Sequence, residues 1–235
     1  MRLRSATDPQ TAARVAAEEI AVLCRHAVRE RGRALLAFSG GETPWLMLGA
    51  LRALDLPWDR AWVAQVDERI APHGDERRNL TRLAEILVNE GPLPAAQLLA
   101  MPVEGNDLEA AAANYQRLLE RHGGRPMCID LVQLGLGIDG HTASLVPGDP
   151  VLEVRDRDVA LSGEYQGLRR MTLALPALDR ARHRLWLVTG PGKAERLRDL
   201  LAGTGDAPAT RVARSGTLVV ADDDALARVS GPVFE

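Results

Sequence analysis

Aromatic side chains are scarce in this chain of 235 residues, at 3% (four Trp, two Tyr and two Phe). A platform for single-stranded nucleic acid needs bases stacked on aromatics set among basic residues, and no stretch supplies one. Charge of one sign is lacking too: 29 Lys+Arg stand against 32 Asp+Glu, a formal net charge of −3. That balance, with arginines scattered along the chain, argues against a dedicated nucleic-acid surface. Cysteine is limited to two residues, Cys24 and Cys128, whose apolar surroundings read as core and whose scarcity suits a reducing compartment. No run approaches the ~18 apolar residues of a membrane span, and the opening M-R-L-R-S-A-T-D-P-Q has no apolar signal-peptide region. A soluble cytoplasmic protein with no membrane partner is the expectation. Spacings such as H-x-x-x-H or paired cysteines are missing, so metal catalysis has no support.

What is present is an ordinary globular fraction of hydrophobic residues, 46%, enough for a proper core. Asp8-Pro9 reads as a cap and first helical residue, Gly32 as a stop, and Ala16, Ile20, Leu23 and Ala27 as one buried stripe between them. Apolar strands are predicted at Ala34–Phe38, Ala61–Val66, Leu98–Met101, Val159–Leu161, Arg170–Leu175, Leu185–Thr189 and Thr217–Ala221. Helices are predicted from Trp45 to Leu54, from Asn79 to Gly91 and after Asp107, the last using Leu108, Ala111, Tyr115 and Leu118. A further helix runs through Leu197, Leu200 and Leu201 to Gly203. No repeat or low-complexity tract appears. Strands alternating with helices predict a doubly wound, mostly parallel sheet covered on both faces. We expect a single α/β domain over residues 1–235, with a small subdomain around 149–185.

The richest stretch is Ile129–Pro147, I-D-L-V-Q-L-G-L-G-I-D-G-H-T-A-S-L-V-P. It begins as a buried strand and breaks into a glycine loop that delivers Asp139 and His141. Gly135, Gly137 and Gly140 satisfy G-x-G-x-x-G. A dinucleotide site, however, needs a long helix next, and Pro147 and Pro150 stop any helix after about two turns. Three other features fall at strand ends. Ser39-Gly40-Gly41-Glu42-Thr43 joins a strand to a helix start, either a phosphate cradle with hydroxyl donors or a tight turn capped by Thr43. Asp67-Glu68-Arg69 is either a ligand-binding end or a solvated loop. Gly190-Pro-Gly-Lys193 echoes a P-loop without its spacing, with Ala194 in place of the metal-binding hydroxyl. His26, His73, His122 and His183 read as surface residues.

The segments S-G-G-E-T-P, V-D-E-R, G-L-G-I-D-G-H-T-A-S-L-V-P-G, R-M-T-L and L-V-T-G-P-G-K-A-E, in this order, resemble the 6-phosphogluconolactonase family. The resemblance runs from Leu35 to about Leu201; S-G-G-x-T-P is shared with related sugar-phosphate isomerases and deaminases, whereas D-G-H-T-A-S is highly specific. It implies a fold like that of glucosamine-6-phosphate deaminase and ribose-5-phosphate isomerase, with no cofactor. It further implies hydrolysis of 6-phosphogluconolactone, with His141 as general base, Asp139 beside it and Arg69 as a catalytic, substrate-binding cation. Arg170 and Lys193 look like the family's phosphate-side cations. Ser39, Gly40, Gly41, Thr43, Asp67 and Gly140 complete the expected binding set. Backbone N–H groups of the glycine loop, or Arg69, would meet the oxyanion, and Asp139 either orients the imidazole or caps the turn. Functional coupling to glucose-6-phosphate dehydrogenase is expected from the family. Three departures stand out: Arg78 where Ser is usual, Val146 where Phe is common, and a last strand without the usual Trp. The deaminases continue D-G-H with I-A-F-N-E-P, which this chain lacks. A sugar-phosphate sensor commonly adds a helix-turn-helix, for which no spare N-terminal segment is expected.

Overall fold

The computed structural model describes residues 1–229. In chain order the elements are β1 (Arg2–Ala6), α1 (Pro9–Arg31), β2 (Ala34–Phe38), α2 (Glu42–Leu51), β3 (Ala61–Gln65), β4 (Asp67–Arg69) and α3 (Asn79–Ala84). They continue through β5 (Leu98–Leu99), α4 (Leu108–Gly123), β6 (Leu131–Leu134), β7 (Val159–Tyr165), β8 (Leu168–Leu173) and α5 (Leu175–Arg180). The described chain closes with β9 (His183–Val188), α6 (Ala194–Ala202), β10 (Thr217–Asp222) and α7 (Asp223–Leu226).

Seven strands form one sheet in the order β1-β10-β9-β6-β2-β3-β5, and every pairing in it is parallel. Parallel strands buried on both faces read as continuous apolar runs, and β2 is buried at all five residues. Its side chains divide between the faces: Leu35 and Ala37 join one core with Tyr115, Leu119 and Leu197. Leu36 and Phe38 join another with Ile20, Met47 and Leu87. Helices therefore cover both sides. From β2 the chain winds outward through β3 and β5, then returns to β6 on the other side of β2 and winds the opposite way through β9 and β10. The crevice between the carboxyl ends of β2 and β6 is the switch point where doubly wound sheets bind ligands.

Local signals explain most boundaries. Asp8 accepts the Thr11 N–H at the start of α1, and Gly32 closes it at φ 73°, a left-handed value that suits glycine. Asp107 and Asp222 cap α4 and α7 in the same way. On α4 the buried residues are Ala112, Tyr115 and Leu119, with the predicted Leu108, Ala111 and Leu118 half-buried at its edge. The helix predicted from Asn79 becomes α3 followed by a π-helical turn over Glu85–Asn89. β1 and α5 escaped the sequence reading; β1 is five residues long with only Leu3 and Ala6 buried, a weak apolar signal. After the glycine loop no helix forms: Thr142 and Leu145 close a turn, and a short 3-10 segment follows at Pro150–Glu153.

A second sheet of three antiparallel strands, β4-β8-β7, stands beside the first. It takes β7 and β8 from the span expected to hold a subdomain and adds the Asp67–Arg69 strand from the first half of the chain. Asp67–Arg69 is thus neither loop nor solvated, since Asp67 and Glu68 are buried. Among the described residues no helix is long and apolar enough to cross a membrane.

Candidate active site

At the switch point a cavity of about 340 Å³ is lined by the Ser39–Pro44 turn, Asp67, Arg69, Asn79, the Gly135–Gly137 loop, His141, Arg170, Thr189 and Lys193. Strands that end together put these residues together: β2 delivers Ser39, β6 Gly135, β9 Thr189, and the small sheet Arg69 and Arg170.

His141 gives the cavity its proton-transfer group. Its Nδ1 lies 2.6 Å from Asp139 Oδ1, and its backbone N–H donates to the same oxygen at 3.1 Å. An ionised carboxylate accepts only, so the pair assigns a proton to Nδ1, and in the neutral imidazole Nε2 is then the acceptor. Burial pulls the Asp139 pKa up, but the donors from the His141 N–H, the His141 ring and the Tyr165 hydroxyl outweigh it and leave it below the usual carboxylate value. The loop is shaped around this pair. A Cβ on Gly137 would sit 2.1 Å from His141 Nδ1 and 2.5 Å from Asp139 Oδ1. Gly137 N–H donates to His141 O at 2.8 Å, and Gly140 N–H to Gly137 O at 3.0 Å. Those two amides are therefore committed within the loop, which leaves the loop's other N–H groups or Arg69 for the expected oxyanion contact. Ala143, which lines the cavity, is held at φ 52°, a left-handed value costing a non-glycine residue on the order of 1 kcal/mol or more.

Arg69 and Arg170 are directly opposed in the β4–β8 register. Like charges set opposite one another in a sheet repel. Burial lowers the Arg170 pKa, the Asp67 charge pulls it back and Arg69 pushes it down again. The Nε–H groups of both arginines are buried with no acceptor among the described residues. Arg69 Nη1 donates to Asn79 Oδ1 at 2.9 Å, and Asn79 presses so closely on Gly40 that a Cβ there would lie 1.9 Å from Asn79 Oδ1. Arg69 is thus linked through Asn79 to the turn before α2, while Arg170 lines the same cavity; the α2 cap residue Gly41, at φ 139°, brings no side-chain acceptor to the first N–H groups. Backbone donors of that kind favour an anion. Lys193 also lines the cavity; burial lowers its pKa, with the Asp139 charge opposing.

Several expected ligands take other parts. Ser39 lines the cavity, but its hydroxyl donates to Gln133 O at 3.1 Å and its N–H to Gln133 Oε1 at 3.1 Å, so it fixes the turn. Thr43 caps nothing; its hydroxyl bonds Thr189 at 2.6 Å and ties α2 to β9. Asp67 accepts from Ser144 Oγ at 2.6 Å and from Asn79 Nδ2 at 3.3 Å, and lies 3.9 Å from Arg170, a brace for other groups. Gly140 does not line the cavity: at φ 85° it turns the loop, and a Cβ would strike Ala207. Arg78, one of the departures from the family pattern, is buried, pairs with Glu68 at 3.3 Å and with Glu104, and does not line the cavity. Outside the site, Cys128 is only half-buried. His122 and His183 are half-buried, His122 stacking on Trp62 at 3.9 Å, so neither is the surface residue it was read as.

Sequence reading missed Asn79, Thr189 and Tyr165. Thr189 closes the predicted Leu185–Thr189 strand, ahead of the Gly190-Pro-Gly-Lys193 turn, and was findable by position. Asn79 had been spent as a helix start. Nothing local marks Tyr165, which a hairpin carries to Asp139 and His141.

Fold and cavity together define a doubly wound α/β protein whose switch-point pocket is lined by a histidine and by the cations Arg69, Arg170 and Lys193. The chain belongs to the family described as glucosamine-6-phosphate isomerases/6-phosphogluconolactonase, whose model matches residues 7–220. The 6-phosphogluconolactonase of Synechocystis is 36% identical over 202 residues, 82% of this chain and 83% of that protein. That of Rattus norvegicus is 36% identical over 222 residues, 87% of this chain and 84% of its own. A monomeric glucosamine-6-phosphate deaminase superposes with a TM-score of 0.83 at 19% identity, over 97% of this chain and 100% of that one. The fold is thus shared with a protein described as a deaminase.

Proposed function

We propose that this protein hydrolyses 6-phospho-D-glucono-1,5-lactone to 6-phosphogluconate, the second step of the oxidative pentose phosphate pathway, with His141 as general base. The observation that carries the reading is the His141–Asp139 pair at 2.6 Å beside two opposed arginines in a cavity of monosaccharide size. The named relatives support the substrate.

The phosphate dianion goes to the α2 N-terminus with Arg69 and Arg170, where it offsets two like charges and satisfies two stranded N–H donors. Held there, the sugar ring presents C1 to His141, and fixing that approach is a large part of the catalysis. Nε2 takes a proton from water as the water oxygen bonds to C1. Asp139, accepting the Nδ1–H, stabilises the imidazolium that forms. The carbonyl electron pair moves onto oxygen, and Lys193, the cation nearest the Asp139 end, stabilises that charge. On collapse the C1–O5 bond breaks, the ring oxygen takes the proton from His141, and the new acid ionises. No step calls on a metal or cofactor. We further propose a cytoplasmic setting and functional coupling to glucose-6-phosphate dehydrogenase, which supplies such a lactone.

The test is hydrolysis of freshly made lactone at neutral pH against the spontaneous rate. Wild type should accelerate it, and His141→Ala should lower kcat by ~10²–10⁴ while remaining folded. Acceleration that survives in His141→Ala would remove the base. Ammonia release from glucosamine 6-phosphate, with no lactone turnover, would replace the activity with that of the deaminase branch.

A further inference from the structure

Tyr165 lies at the tip of the β7–β8 hairpin, and its placement depends on one irregularity. From Val159↔Leu173 to Ser162↔Arg170 the two strands pair in strict antiparallel register, but the last pair is Tyr165↔Leu168, one residue out of step. In strict register Tyr165, three residues past Ser162, would face away from Arg170. The inserted residue is a bulge, and a bulge re-aims the side chains beyond it. Here it returns Tyr165 to the face that carries Arg170. The two-residue turn beyond has Gln166 at φ 54° and Gly167 at φ 78°, the conformation of a tight hairpin turn. A glutamine there is strained, and it is also the residue whose Oε1 lies 3.4 Å from Arg170 Nη2.

Three contacts result. The tyrosine hydroxyl donates to Asp139 Oδ2 at 3.1 Å, the oxygen not used by the imidazole. The ring meets His141 edge-on, with centroids 5.2 Å apart at 63°. Its face lies 5.0 Å from the Arg170 guanidinium carbon, within cation–π range. Burial raises the phenol pKa, as do the Asp139 charge and the hydrogen bond to it, so the hydroxyl stays a donor at neutral pH.

We infer that Tyr165 is a positioning residue acting on both halves of the site: its hydroxyl locks Asp139, and through it the His141 tautomer, while its ring seats Arg170. The inference rests on the lactonase reading for its kinetics but not for its structural half.

Two substitutions separate the halves. Tyr165→Phe keeps the ring and removes the hydroxyl; it should lower kcat about tenfold, the scale of one hydrogen bond to a charged group, and leave KM within about twofold. Tyr165→Leu removes both and should also raise KM for the phosphorylated lactone, by about fivefold on the cation–π scale. ¹⁵N shifts of the imidazole, read without substrate, should give the Nδ1–H tautomer in wild type and a mixture in Tyr165→Phe. Wild-type kcat in Tyr165→Phe, or KM rising equally in both variants, would overturn the split roles. An unchanged tautomer would overturn the link through Asp139. A wild type inert toward lactone would retire the activity, with the ¹⁵N comparison still deciding whether Tyr165 holds the pair.

Discussion

Gly137 is the residue on which the base depends most directly. It lies outside the left-handed region, so its requirement is space alone: the place of a side chain is taken by the His141 ring and the Asp139 carboxylate. Backbone packed this tightly does not yield a methyl's width without moving its neighbours. Gly137→Ala should therefore push the imidazole aside by about an ångström, a displacement that costs on the order of 10²-fold in rate. Lactone turnover should collapse while circular dichroism stays native; turnover within about threefold of wild type would show that the loop absorbs the methyl. The sequence marks this residue as one of three glycines, in a strand-following G-x-G-x-x-G, where a Cβ would obstruct a close approach. The motif was legible, but its cause was not, because the atoms that exclude a Cβ belong to the two functional side chains themselves.

At the scale of elements, the Asp67–Arg69 strand shows why order along the chain and order in space part company. Its three residues read as charges at a strand end, but the partner that makes them a strand is β8, about a hundred residues away. Glu68 then does what no local pattern announces. Its carboxylate accepts from the N–H groups of Asn79 at 2.7 Å and Leu80 at 2.9 Å, capping α3 from another element, since Arg78 at the cap position offers no side-chain bond. It also accepts from Gln65 Nε2 at 2.8 Å and the Arg69 N–H at 2.9 Å, and faces the buried Arg78. The seven-stranded sheet was legible in all but β1, because its other longer strands are mostly apolar; the small sheet was not, because β4 is short and charged. Breaking one partner of a buried ion pair costs ~3–5 kcal/mol. Glu68→Gln should lower unfolding stability by about that much in urea titration, and raise KM as Arg69 and Asn79 lose their anchor. A loss below about 1 kcal/mol would mean that the backbone donors hold α3 alone.

At the scale of the whole molecule, formal charge is nearly balanced at −3, and two half-buried histidines contribute to how stability follows pH. Burial lowers the His122 pKa, and the Arg33 and Arg121 charges lower it further. Burial lowers that of His183 too, with His26, Arg184 and Arg2 acting the same way and Asp130 opposing. A histidine whose folded pKa lies below its unfolded value of about 6.5 binds more protons when unfolded, so stability rises with pH across that window. The contribution is complete above about pH 6.5 and is lost as pH falls toward the folded values. Asp139 adds the same sign further down, because its lowered pKa makes the unfolded chain the better proton acceptor there as well. Both histidines sit against the central sheet, His122 on Trp62 of β3 and His183 at the start of β9, so protonation opposes the packing of the sheet and not of a loop. Thermal midpoints should be level from pH 8 to 7 and fall from about pH 6.5 to 5. In His122→Gln/His183→Gln the fall should be shallower over that interval, with the steep loss postponed to the carboxylate range. An unchanged slope in the double variant would place the acid sensitivity in the carboxylates alone.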